Sequence, residues 1–361
     1  MRVVLAFLFI FVIFSVFLTP SMSNYNQAYA LPATINKIKS GLIASDALTQ
    51  TEINTSYWHF GGDAISMQAP YDYYENNQGL HIGVQAASSG QWAGFYGESP
   101  SSSAHLYHSV LKVPFDTVQD HWWDTGMYVQ TSSPLINYVT CAGIVSSSGI
   151  SWVVVSTKGD ANQATEFNTL WQDKSPSQPY TRDCTIVTNG QNLLKVYLDK
   201  ILVFSSTTLN LDMPEPFNTY LEVQTSTASQ KLYGFYRDFY ATSDTSIKVL
   251  NAPIGGLVKI SDSASNKELG KDIVDNKGKA SIGIARYHLP LSARIDVYDS
   301  TNNFVATKTV GNMWAGDSYK LSYNTLKAQS STNDSDDATR ISTGTWNENV
   351  RLHALPPSLF Q

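Results

Sequence analysis

From about Tyr57 to Thr242 the chain is a succession of short segments in which β-branched and aromatic residues alternate with polar ones, broken by turn residues. Leu80, Ile82, Val84 and Ala86 share one parity, with His81, Gly83 and Gln85 on the other. That is the pattern of a strand with one face buried. Leu106 to Val113, Met127 to Gln130, Tyr138 to Val145, Ile150 to Val155, Cys184 to Thr188, Leu193 to Leu198, Ile201 to Phe204, Leu221 to Thr225 and Leu232 to Phe239 read the same way. No helical period competes. Parallel βαβ folds are therefore excluded, and an antiparallel two-sheet sandwich with jelly-roll strand count is expected over residues 57–245. Asn189-Gly190, between two such runs, predicts a hairpin with a type I′ turn.

Near Ser246 a second alternation begins. Ile247, Val249, Val258, Ile260, Ala280, Ile282, Ile284, Ile295 and Val297 recur at strand spacing, with Gly255-Gly256 and Asp275-Asn276-Lys277-Gly278 as turns. A smaller sandwich over residues 246–325 is expected. Residues 326–361 are rich in Ser, Thr, Asp and Asn and read as a disordered tail, because too few apolar groups are present to offset the entropy of ordering.

Arg2 and the apolar run Val3 to Leu18 form an export signal, and Ala28-Tyr29-Ala30 supplies a small-x-small cleavage site. A helix over that run reaches about 24 Å, short of about 30 Å of hydrocarbon. Residues 1–30 are read as a signal peptide, with an uncleaved anchor as the rival, and residues 31–56 as a lead-in. The expected location is secreted or at the cell surface, with membrane contact only through an uncleaved N-terminus. Cys141 and Cys184, the sole cysteines, then have an oxidising compartment in which to pair, the rival being two separately buried thiols. A formal charge of −6 without clustered Lys and Arg excludes a nucleic-acid surface.

The run Cys184 to Asp199, with Val196-Tyr197-Leu198-Asp199 before a turn, resembles the paired strands of the laminin G-like, concanavalin A-like lectin and glucanase superfamily. Gly234-Phe235-Tyr236-Arg237-Asp238-Phe239 is similar to that superfamily's closing strand, while Lys200 stands where its turn has glycine. The fold class implied is all-β: a concanavalin A-like jelly-roll sandwich followed by a smaller module that resembles immunoglobulin-like or carboxypeptidase regulatory-like domains.

The resemblance implies that a hydrolase would carry paired carboxylates, Glu-x-Asp-x-Glu on one strand face. No such motif occurs. Glu222 has Gln224 as its same-face neighbour on its own strand, so its partner is missing locally. A glutamic-peptidase-like pair of Glu222 with Gln130 or Gln85 is the weaker catalytic reading. Trp92, Tyr96, Trp122, Trp123 and Trp171 are candidate platforms for sugar rings, whose C–H faces stack on aromatics. His105 and His108 have opposite parity, and His59, His81 and His121 lack cysteine partners, so no histidine metal set is expected. Calcium is the metal that Asp63, Asp72, Glu75 and Asp238 would suit. The reading that follows is a surface protein that binds a glycan or a partner protein. A hydrolase of polysaccharide or polypeptide with a non-standard site and a structural envelope component are the alternatives. An aromatic groove without close carboxylates would favour binding, a Glu facing a Gln or another Glu in that groove would favour hydrolysis, and the lack of a groove would favour the structural role.

Overall fold

A computed structural model describes residues 33–114, 123–131, 136–146, 149–159, 164–173 and 179–323. The signal-peptide and tail readings, with His121 and Trp122, lie outside the described residues. The protein is all-β, with one short helix, Asp63–Ser66, among the described residues.

The larger sandwich packs two antiparallel sheets. Its seven-stranded sheet runs Ala164–Gln172, Gly149–Gly159, Tyr138–Ser146, Trp123–Thr131, Phe217–Thr225, Ala93–Glu98 and His59–Gly61. The other sheet runs Ile201–Ser206, Leu194–Leu198, Thr181–Thr188, Leu106–Lys112, Leu232–Thr242, Gly79–Val84 and Tyr71–Asn76, with Leu42–Asp46 added alongside Leu232–Thr242. Between them lies one apolar core that includes Trp58, Phe95, Trp123, Met127, Trp152, Ile186, Phe217, Leu221 and Tyr236. Cys141 and Cys184 are bonded, with Cα atoms 6.6 Å apart, and the bridge ties one sheet to the other through this core. Closing a loop with a sequence separation of 43 stabilises by about 4 kcal/mol on the chain-entropy account.

Asn189-Gly190 does lie between paired strands, Thr188 opposite Leu194, but it opens a five-residue loop instead of a two-residue I′ turn. Asn189 Oδ1 accepts hydrogen bonds from the N–H groups of Gln191, Asn192 and Leu193, which holds the wider loop. The two-residue turn falls at Asp199-Lys200, whose φ values of 50° and 71° are both left-handed. Lys200 thus adopts the conformation that glycine supplies in the resembling family, at a cost of roughly 1–2 kcal/mol.

The smaller sandwich has two four-stranded sheets. One runs Glu268–Ile273, Leu257–Asp262, Leu291–Tyr298 and Phe304–Met313; the other runs Ala33–Lys39, Ser318–Tyr323, Ser246–Leu250 and Lys279–Gly283. Ala33–Lys39 comes from the segment read as lead-in. That segment is divided: its first strand pairs with Ser318–Tyr323, burying Ile35, and its second, Leu42–Asp46, joins the larger sandwich. Leu106, Val187 and Tyr240, on the outer face of the eight-stranded sheet, belong to the same apolar cluster as Ile247, Leu289 and Met313.

Candidate functional site

The Phe217–Thr225 strand alternates strictly. Phe217, Thr219, Leu221, Val223 and Thr225 are buried inward, while Asn218, Tyr220, Glu222 and Gln224 are half-buried on the opposite face. Its antiparallel neighbours fix what stands beside each. Glu222 lies opposite Gly126 on one side and Tyr96 on the other, Gln224 opposite Asp124 and Gly94, and Tyr220 opposite Tyr128 and Glu98. Asp124 and Glu222 are therefore diagonal cross-strand neighbours, a relation that sets such residues about 7–8 Å apart, within reach of long side chains.

Glycine at two positions opens room for this group. A Cβ on Gly94 would come within 2.6 Å of Glu222 Oε1 and 3.5 Å of Asp63 Oδ1, so both carboxylates converge over that residue. Asp63 arrives from the short helix. Its Oδ1 accepts the Gly94 N–H, and the chain before it approaches closely because Gly62, at φ 145°, has no Cβ to strike the Gly94 carbonyl. Tyrosines frame the acids: Tyr128 donates to Asp124 Oδ1 at 3.0 Å, and Tyr220 and Asn218 both donate to Glu98 Oε1, at 2.9 and 2.6 Å. Tyr96 meets Tyr220 edge-on, and Tyr128 meets Tyr138 likewise.

Burial dominates the electrostatics. It raises Glu222 well above the ordinary carboxylate range, with the Asp124 and Asp63 charges adding to the rise and the Gln224 hydrogen bond opposing it. Burial also pushes Asp124 up to about 7, against the Tyr128 hydrogen bond. Burial thus favours the protonated form of both neighbouring carboxyl groups, and a raised carboxyl is what a general acid requires.

The candidates read from sequence scatter around this face. Tyr96 lies on it, and Trp92, 37% exposed, immediately precedes the same strand. Trp123 is not a platform: it is fully buried, because its parity on the Trp123–Thr131 strand is that of Met127 and Val129. Trp171, opposite Val154, packs against the same core. The peptidase-like pairs are not assembled. Gln85 belongs with the other sheet, where it donates to the Ala228 carbonyl, and Gln130 pairs with Asn218, four residues along the strand from Glu222. What replaces them is Asp124, on the neighbouring strand. Its signal was alternation on both strands, which places both acids on outward faces but does not say that the strands adjoin.

The proposed calcium ligands are dispersed. Asp63 is on the acid face, Asp72 is bonded to Lys231 at 2.6 Å, Glu75 accepts the Gln50 N–H, and Asp238 sits at a left-handed bulge in the other sheet. The histidines, in contrast, do contribute to a cluster. Among the described residues, His108 comes together with Asp183 and with His288 of the smaller sandwich.

No protein-family model matches the sequence, and no curated protein is similar to it. Among solved structures, the chain is similar to a GlcNAcα1-4Gal-releasing endo-β-galactosidase from Clostridium perfringens, at 10% identity and TM-score 0.45, covering 80% of this chain and 98% of that one. It is similar to the laminarinase catalytic domain from Thermotoga maritima, at 10% identity and TM-score 0.43, covering 57% and 99%. For β-agarase A from Zobellia galactanivorans the values are 12% and 0.42, covering 58% and 93%. With every TM-score here below 0.5, the functional reading rests on this chain's own residues.

Proposed function

We propose that this is an extracellular glycan-active protein whose Asp124–Glu222 pair hydrolyses a glycosidic bond. The observation that supports it is the convergence of Glu222, Asp124 and Asp63 on one tyrosine-lined sheet face, where burial raises Glu222 well above the ordinary carboxylate range and Asp124 to about 7. Glu222 would give its proton to the leaving glycosidic oxygen. Asp124, ionised above about pH 7, would attack the anomeric carbon or take a proton from the attacking water. The tyrosines Tyr96 and Tyr220 supply both apolar ring surface and hydroxyls for the sugar. Export is the compartment that a disulfide-bonded chain with this N-terminus suits.

A second reading, glycan binding without cleavage, draws on the same tyrosines and on the exposed Trp92 beside them. One experiment separates the two. The purified protein is incubated with a panel of soluble β-linked galactans and glucans, and new reducing ends are measured alongside retention of each polysaccharide in affinity electrophoresis. Cleavage that disappears in Glu222→Gln supports hydrolysis; retention of a polysaccharide without any new reducing end sinks it in favour of binding.

A further inference from the structure

On the opposite side of the larger sandwich, the Leu106–Lys112 and Thr181–Thr188 strands are paired so that His108 stands opposite Thr185, with Asp183 one step along the same face. The smaller sandwich adds His288, from the turn between Lys279–Gly283 and Leu291–Tyr298. His108 Nε2, Asp183 Oδ1 and His288 Nδ1 all lie within 4.8 Å of one another. The two imidazole nitrogens are 3.7 and 3.9 Å from that carboxylate oxygen.

His108 is the informative member. It is 1% exposed, its Nε2 has no hydrogen-bond partner, and its Nδ1 is hydrogen-bonded to Thr185 Oγ1 at 2.9 Å. A proton on Nδ1, given to Thr185, leaves the Nε2 lone pair free and aimed at Asp183 and His288. An orphaned buried nitrogen is costly, and a cation is one partner that three lone-pair donors can share. The imidazole is also fixed in place, stacked on Tyr240 with centroids 4.4 Å apart, and the His288 ring stands at 87° to it.

We infer that His108, Asp183 and His288 form a binding site for a zinc-class divalent cation that rivets the smaller sandwich to the eight-stranded sheet. Two nitrogens and a carboxylate oxygen, with a fourth position left to water, match the donor set of open zinc sites; calcium would demand oxygens throughout. A tetrahedron with bonds of about 2.0–2.1 Å has edges of about 3.3 Å, so the two histidine–carboxylate spacings of 3.7 and 3.9 Å need to close by about half an ångström, and the two imidazoles, within 4.8 Å of each other, must draw together around the ion. Thr185 acts as the outer partner that orients a ligating histidine. Access is available from outside, since the Asp183 and His288 side chains remain 24% and 40% exposed. Both cysteines are bonded to each other, so no thiolate competes for the metal.

The test uses untagged full-length protein stripped with chelator and titrated with zinc chloride by calorimetry, with cobalt(II) as a visible-absorption probe. One zinc per chain, the d–d bands of tetrahedral cobalt and a raised melting temperature are expected. His288→Ala, at a half-exposed position, should fold and bind at least about 100-fold more weakly, and Thr185→Val about 10–100-fold more weakly. Zinc binding that stays well below one per chain in folded wild-type protein overturns the inference. So does wild-type affinity in His288→Ala.

Discussion

The two sheets of the larger sandwich share a core but use their outer faces oppositely. On the seven-stranded sheet the outward row carries Asp124, Tyr220, Glu222 and Gln224, polar groups held half out of water, with Tyr128 buried among them. On the eight-stranded sheet the outward row includes Leu106, Val187 and Tyr240, which the smaller sandwich covers. Leu106–Lys112 is accordingly buried at six successive positions, whereas Phe217–Thr225 alternates. One sheet thus keeps an open polar face, while the outer face of the other is covered by the smaller sandwich. The difference is set by composition on a single parity: apolar groups there recruit another layer, while acids flanked by glycines leave space above them.

That contrast can be broken. The largest effect should be on the proposed turnover: Glu222→Gln should lower hydrolysis by about 10²–10⁴-fold while leaving the melting curve near wild type, since the amide matches the carboxyl in shape and burial raises that carboxyl's pKa toward its neutral form. A large loss of stability instead would make Glu222 a structural residue. Next, Cys141→Ala with Cys184→Ala removes the tie between the two sheets and should cost about 4 kcal/mol, read by urea denaturation. Third, Leu106→Ala should cost about 2–5 kcal/mol at the docking face without changing the proposed hydrolysis rate of the folded protein. An equal fall in that rate would mean that the two faces are coupled.

A smaller effect is expected with pH. The folded pKa of Asp124, about 7, exceeds its unfolded value of about 3.9, so its contribution to stability is fully present below about pH 4 and is lost as pH rises through about 7. Glu222, also raised by burial, changes stability with pH in the same direction. Melting temperatures followed from acid to neutral pH should show this decline in wild type and a flatter course in Asp124→Asn, and parallel courses would contradict the buried-acid reading. The smallest change concerns Trp92→Ala: polysaccharide retention should weaken by about 1 kcal/mol with little loss of stability, whereas Trp123→Ala should unfold the core first. If Trp92→Ala retains polysaccharide as wild type does, the aromatic rim plays no part in binding.

Much of this was legible in residue order. Period-two alternation with no helical rival determined an all-β chain, because side chains on successive strand residues must point to opposite faces. It also put Glu222 outward beside Gln224, and two cysteines alone left a single possible pair. Alternation reports which face a residue is on, not which strand lies beside it. Strand order arises from loop closure and from the fit of the whole core, and only the tertiary structure could set Asp124 diagonal to Glu222 with Asp63 folded over Gly94. For the same reason Ala33–Lys39 could not be assigned from sequence to Ser318–Tyr323, nor His288 to His108: each pair is distant along the chain, the first joined by strand pairing inside the smaller sandwich and the second only where the two sandwiches pack.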